Sequence, residues 1–83
     1  MYKELLEYII KNLVTNPDSV VVTQTQTEEK LLLKVKVEKS DMGRVIGKEG
    51  RIIRSIREII NAYAQKNHEK VSIDIDEIKD VKE

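Results

Sequence analysis

Every glycine of the chain falls in the stretch GRVIGKEGRIIRSI, residues 43–56, as Gly43, Gly47 and Gly50. Around them stand Arg44, Lys48, Arg51, Arg54 and Arg57, interleaved with Val45, Ile46, Ile52, Ile53 and Ile56. Glycine allows backbone N–H groups to be approached with no Cβ in the way, a helix N-terminus adds positive potential, and lysine and arginine add full charges. The chemistry this combination suits is the holding of an anion, and backbone phosphates fit it well. Catalysis is not indicated, because no activated nucleophile, carboxylate pair or metal-ligand cluster is spaced for it. The single histidine, His68, reads as an exposed loop residue. Asp74, Asp76 and Glu77 read as an acidic strand end kept in water, so neither metal nor cofactor is expected.

Two familiar phosphate motifs fail on inspection. A nucleotide-binding P-loop needs serine or threonine after Gly-Lys, but Glu49 follows Gly47-Lys48, and Met42 stands where its first glycine belongs. A dinucleotide fingerprint needs glycine where Val45 stands, and it needs a strand rather than a helix before it. What remains is helix, Gly-x-x-Gly, helix.

The elements that must position this turn follow from periodicity. Tyr2, Leu5, Leu6, Ile9, Ile10 and Leu13 recur at helical spacing and predict an amphipathic helix ending near Val14. Pro17 then forces a turn within TNPDS. VVVTQTQT and LLLKVKVE are rich in β-branched and alternating residues and predict two strands joined by a tight TEEK hairpin. Ser40 or Asp41 is placed to cap a short helix through Met42, Val45 and Ile46. A second helix is predicted from Arg51 to about Gln65, and VSIDID, residues 71–76, closes the domain as a strand. The order α-β-β-α-α-β predicts an α+β, two-layer fold: a three-stranded mixed sheet covered on one face by three helices. The first two strands are antiparallel, and a right-handed crossover makes the last parallel to the second.

The chain has 83 residues, enough for one domain with a modest core. Its 15 basic and 15 acidic residues cancel, yet the charge is polarised. Residues 39–57 carry six cations against Asp41 and Glu49, a net of +4, while residues 74–83 carry five acids against Lys79 and Lys82, a net of −3. There is no cysteine, hence no disulfide or thiol chemistry. The start MYKELLEYII is too charged for a signal peptide, and no apolar run reaches membrane-spanning length, so a soluble cytoplasmic protein with no membrane partner is expected.

VIGKEGRIIRSI resembles the signature of K-homology (KH) domains, an isoleucine followed by Gly-x-x-Gly and further apolar positions. The element order resembles the type II, bacterial form, and the composite DMGRVIGKEGRI on a chain of this length is similar to the small single-KH RNA-binding proteins of the KhpA type. The resemblance spans nearly the whole chain, 1–83. It implies an RNA-binding protein, a post-transcriptional regulator or RNA chaperone, in which Gly47, Lys48, Glu49 and Gly50 clamp the backbone of about four nucleotides. Ile46 and Ile53, with side chains of the second and third strands, would floor a groove for single-stranded bases. Arg44, Arg51 and Arg54 would edge it, and Lys66, Asn67 and His68 would form the opposite rim. Glu49 places an acid inside the phosphate loop, which leaves Lys48 as its principal side chain. The partner the resemblance implies is single-stranded RNA, with single-stranded DNA as the alternative.

Two other readings remain. One is a protein-interaction adaptor on the same fold, favoured by zero net charge. The other is a helix-hairpin-helix on duplex DNA, disfavoured by the glycine spacing and the unexplained sheet. Only Tyr2, Tyr8 and Tyr63 are aromatic, which argues against modules that stack bases on rings. The resemblance also implies a homodimer or pairing with a second KH-containing protein. The apolar positions of helix 51–66 wrap further than a three-stranded sheet can cover, which nominates Ile59 and Tyr63 for that surface.

Overall fold

The computed structural model describes residues 1–78; residues 79–83, with the last part of the acidic segment, lie outside the described residues. The order is α1 Tyr2–Lys11, β1 Val21–Gln26, β2 Leu31–Val37, α2 Met42–Ile46, α3 Arg51–Lys66 and β3 Val71–Glu77, with single 3-10 turns at Pro17–Ser19, Lys39–Asp41 and Lys48–Gly50. The predicted α-β-β-α-α-β order is thus observed.

The hairpin is fixed by Thr27, whose N–H donates to the Lys30 carbonyl at 2.8 Å and whose hydroxyl accepts from the Lys30 N–H at 3.0 Å. It sets β1 antiparallel to β2 in a register running from Val21 opposite Lys36 to Gln26 opposite Leu31. β3 runs parallel to β2, from Leu31 beside Val71 to Val37 beside Glu77, so the sheet order is β1-β2-β3 with β2 in the centre. Alternation along the strands sends Leu33, Val35, Val37 and Ile73 inward, leaving Lys34, Lys36, Asp74 and Asp76 on the uncovered face.

The helices meet that apolar face with Tyr2, Leu6 and Ile10 from α1, Val45 from α2, and Ile53, Ile56, Ile60 and Ala64 from α3. Each fully buried Leu or Ile here contributes about 1.5–3 kcal/mol through removal of apolar surface from water.

α1 stops at Lys11, three residues before the expected end. Asn12 closes it, its side-chain amide donating to the Tyr8 carbonyl at 2.7 Å. Leu13 and Val14 still pack against the core from an unwound segment. Their apolar spacing recorded burial, and burial continues past the helix because the chain must turn to deliver Thr15 and Asn16 to a buried acid.

That acid is Asp41, which is 0% exposed. It stands at the N-cap of α2 but does not cap it, contrary to expectation. Its carboxylate instead accepts from the Thr15 N–H at 2.9 Å, the Thr15 hydroxyl at 2.8 Å, the Asn16 N–H at 3.0 Å and the Asn16 amide at 3.1 Å. Arg44 Nε lies 3.7 Å from the same group. Burying a carboxylate is unfavourable unless such donors replace water, and here four do. The Thr15 N–H is the chief cause holding the Asp41 carboxyl below its usual range; burial opposes it.

A folded-state pKa below the unfolded value stabilises the fold above the unfolded value, near pH 3.9, and that contribution is lost as pH falls through the folded value. Asp41→Asn should therefore lower the melting temperature at neutral pH more than the exposed-site control Asp18→Asn. Scanning calorimetry down to acid pH should find the gap between wild type and Asp41→Asn narrowing below about pH 4.

Candidate functional site

The turn between α2 and α3 owes its shape to two glycines and one residue between them. Gly47 has φ 78°, ψ 174°, a region open in practice to glycine alone. A Cβ there would lie 2.6 Å from Ile52 Cγ1 and 2.9 Å from Ile52 Cβ, so the two helices approach too closely for a side chain. Gly50 is left-handed at φ 74°, ψ 17°, and Glu49 is left-handed as well at φ 57°, ψ 26°. Gly43, by contrast, sits inside α2 with nothing within 4 Å of a Cβ; it is no part of the turn, although sequence proximity grouped it there.

Within the turn the N–H groups of Gly47, Gly50 and Arg51 are bonded to the carbonyls of Gly43, Gly47 and Lys48. Those of Lys48 and Glu49 find no acceptor among the described residues. Both side chains are exposed. α3 starts directly behind, without a side-chain cap and without an acid in its first turn, so its positive end is unopposed by the helix itself. Free donors, a helix N-terminus and the Lys48 ammonium thus occur together in one short exposed turn, a combination that can hold a phosphate.

Glu49 qualifies this. Its carboxylate stands 3.7 Å from the Arg51 guanidinium, an exposed pair, and its carbonyl accepts from Arg54 Nη2 at 3.2 Å. Arg51 and Arg54 are therefore turned to the loop rather than to a groove. Arg44 is turned to Asp41.

A groove does lie beside the turn, with a volume of about 460 Å³, lined by Lys34, Ile46, Ile53, Arg57, Asp74, Ile75 and Asp76. Ile46 and Ile53 are brought together there, although Ile53 is only 8% exposed and serves the core as much. Arg44, Arg51 and Arg54 do not line it. Nor do Lys66, Asn67 and His68. Asn67 instead donates to the Tyr2 hydroxyl at 3.0 Å, and His68 lines a separate recess at the hairpin end.

Sequence reasoning missed Arg57 as a groove residue. Its i+4 spacing from Ile53 was the available signal, since that spacing puts both on one helix face. The acids Asp74 and Asp76 also line the groove at its margin rather than serving only as a solvated strand end. With Lys34 and Arg57 they make the groove nearly neutral, while the cations cluster at the turn.

An α-β-β-α-α-β sandwich with a Gly-x-x-Gly turn between its second and third helices is the architecture of a KH domain of the type II order. Comparison with known proteins agrees: residues 3–75 match the family described as KhpA/KhpB, KH domain. The RNA-binding protein KhpA of Listeria monocytogenes is 45% identical over 73 residues, 88% of this chain and 96% of that protein. The KhpA proteins of Clostridium perfringens and Chlamydia pneumoniae are 47% and 43% identical, covering 88% and 93% of this chain and 97% and 99% of their own. The chain belongs to the KhpA/KhpB family of KH-domain proteins.

The two glycine environments separate experimentally. Gly47→Ala forces a side chain into a glycine-only conformation and against Ile52, and should destabilise by about 1–3 kcal/mol. Gly43→Ala, in helical backbone with open space, should be neutral or stabilising by up to about 1 kcal/mol. Urea denaturation of the two variants checks the contrast.

Proposed function

We propose that this chain is a one-domain RNA-binding protein that holds a short single strand of RNA. The strand's phosphates rest on Gly47, Lys48, Glu49 and Gly50, and its bases lie in the groove between α2–α3 and β3. The observation that carries this reading is the turn itself, whose left-handed and glycine-only conformations leave the Lys48 and Glu49 N–H groups unbonded beside the start of α3. Strain of this kind persists where the surroundings over-determine it, and it concentrates at ligand clamps.

Ile46 and Ile53 supply apolar surface for bases, and Arg51 and Arg54, both held toward Glu49 of the turn, add positive charge beside the phosphate path. The relatives named above are RNA-binding proteins, which supports RNA as the ligand. The groove's neutral, partly apolar lining suits unpaired bases better than a duplex backbone. Such a protein acts by occupying or remodelling single-stranded segments, as a post-transcriptional regulator or RNA chaperone in the cytoplasm. The chain's own chemistry is binding, not turnover.

Replacing Lys48 and Glu49 together by Asp inverts the charge at position 48, keeps an acid at position 49, and spares both glycines and the core. RNA affinity, measured by fluorescence anisotropy on an unstructured oligonucleotide, should fall about tenfold or more, with a shallower salt dependence and an unchanged melting temperature. Normal binding by the double variant would remove the phosphate-clamp assignment and favour an adaptor on the same fold. Equal or tighter binding of a duplex of the same sequence would remove the single-strand reading.

A second part of the proposal is self-association, or pairing with another KH protein, through α3. Ile59 is 53% exposed, on the same helix side as the half-buried Ile52 and Tyr63. Tyr63 is partly satisfied within the chain, stacked edge-to-face on Tyr2 at 5.1 Å between ring centroids, so Ile59 is the stronger anchor. Two linked four-nucleotide sites gain affinity because the second contact becomes effectively intramolecular. Analytical ultracentrifugation should find a dimer that Ile59→Asp converts to monomer; a wild type that stays monomeric at high micromolar concentration leaves only a heterologous partner.

A further inference from the structure

The groove does not end at the turn. Beyond the part lined by Ile46 and Ile53 it continues along α3 and around the edge strand β3 as a second recess of about 420 Å³, whose lining includes Lys30, Leu32, Asn61, Val71, Ser72 and Ile73. Arg57 and Asp74 line both parts and so mark the middle of the cleft.

What faces that midpoint can be worked out from the sheet. β3 is an edge strand. Its inward bonds begin with the Lys70 carbonyl, which accepts from Leu31 N–H, and end with the Ile78 N–H, which donates to the Val37 carbonyl, each at 2.8 Å. In a parallel ladder the even-numbered residues thus face β2, and Val71, Ile73, Ile75 and Glu77 turn their N–H and C=O groups outward. Arg57 Nη2 donates to one of these free carbonyls, that of Ile73, at 3.2 Å. A guanidinium has five N–H donors, so one bond to Ile73 anchors its plane and leaves a second fork available. Beside it, Asp74 is exposed, and its sheet neighbour Lys34 makes no ion pair with it within 4 Å among the described residues.

We propose that the middle of this cleft is a guanine-reading subsite in which Arg57 supplies the donors and Asp74 the acceptors. The inference rests on the single-strand RNA reading and adds a base preference to it. An unstacked base offers its Watson–Crick and Hoogsteen edges to side chains. Guanine alone has two adjacent acceptors, O6 and N7, next to two adjacent donors, N1–H and the N2 amino group. The first pair matches a guanidinium fork and the second a carboxylate. Adenine offers an amino group where the fork needs O6. Cytosine gives the carboxylate one donor instead of two, and uracil sets a single N–H between two carbonyls.

The acids also orient the strand. Asp74 and Asp76 repel phosphates from the β3 bank, and the unbonded N–H groups and Lys48 attract them to the turn, so bases point toward β3.

The test uses fluorescence anisotropy with uridine oligomers carrying one central guanosine, inosine, adenosine or cytidine, beside the all-uridine strand. Wild-type protein should prefer the guanosine strand about tenfold over all-uridine. Inosine, which lacks the N2 amino group, should fall between. Arg57→Ala and Asp74→Asn, each shown folded by circular dichroism, should bring the guanosine-to-uridine ratio close to one. The proposal is overturned if wild type shows no guanosine preference, or if either variant keeps it. It is also overturned if Arg57→Ala weakens every strand equally with a shallower salt dependence, which would make Arg57 a phosphate contact. Failure of the wild type to bind any of the strands overturns the RNA reading itself, and this inference with it.

Discussion

Because the Cα of Gly47 stands against the side chain of Ile52, with no room for even a methyl group, the end of α2 and the start of α3 meet at a distance that only glycine permits. Much else depends on that approach. It turns the chain abruptly enough that Glu49 and Gly50 must both go left-handed before α3 can begin. The N–H groups of Lys48 and Glu49 are left without acceptors among the described residues, at two exposed positions. It also brings Ile46 and Ile53, from opposite sides of the turn, into one groove wall. The turn and the groove wall beside it are therefore consequences of one packing contact.

The site sits on a scaffold secured at its other end by a polar contact. Asp41, fully buried, gathers four donors from Thr15 and Asn16 and so ties the segment after α1 to the entrance of α2. Half-satisfied, such a carboxylate would be strongly unfavourable; fully satisfied, it fixes one geometry. α2, only five residues long, has little helical stability of its own and depends on such outside contacts for its position.

Charge is divided within the site in a way that whole-chain neutrality conceals. Lys48 and Arg51 stand by the turn, partly opposed by Glu49, while the groove pairs Lys34 and Arg57 with Asp74 and Asp76. A strongly basic groove would take any polyanion. On the proposed reading, a neutral one beside a cationic turn would separate the backbone of a strand from its bases, and leave the base edges to hydrogen bonding and shape.

Local pattern was sufficient for the elements: alternation along Leu31–Val37 and Val71–Glu77, the i, i+4 row Leu6–Ile10 and the Gly47–Gly50 spacing are each short-range properties of the chain. The crossover rule then made β3 parallel to β2. What the sequence could not determine are the partners brought together from far apart. Asp41 has the residue type and position of a helix cap, and only tertiary packing, 26 residues distant in sequence, supplies Thr15 instead. Arg57 has the spacing of a solvated helix face. It becomes a groove residue because β3 forms the sheet edge beneath it, and periodicity assigns a residue to a face without saying which strand or edge lies opposite. The end of α1 was misplaced for the same reason: hydrophobic spacing registers burial, which Leu13 and Val14 retain, whereas the helix ends where the fold needs the chain to turn toward Asp41.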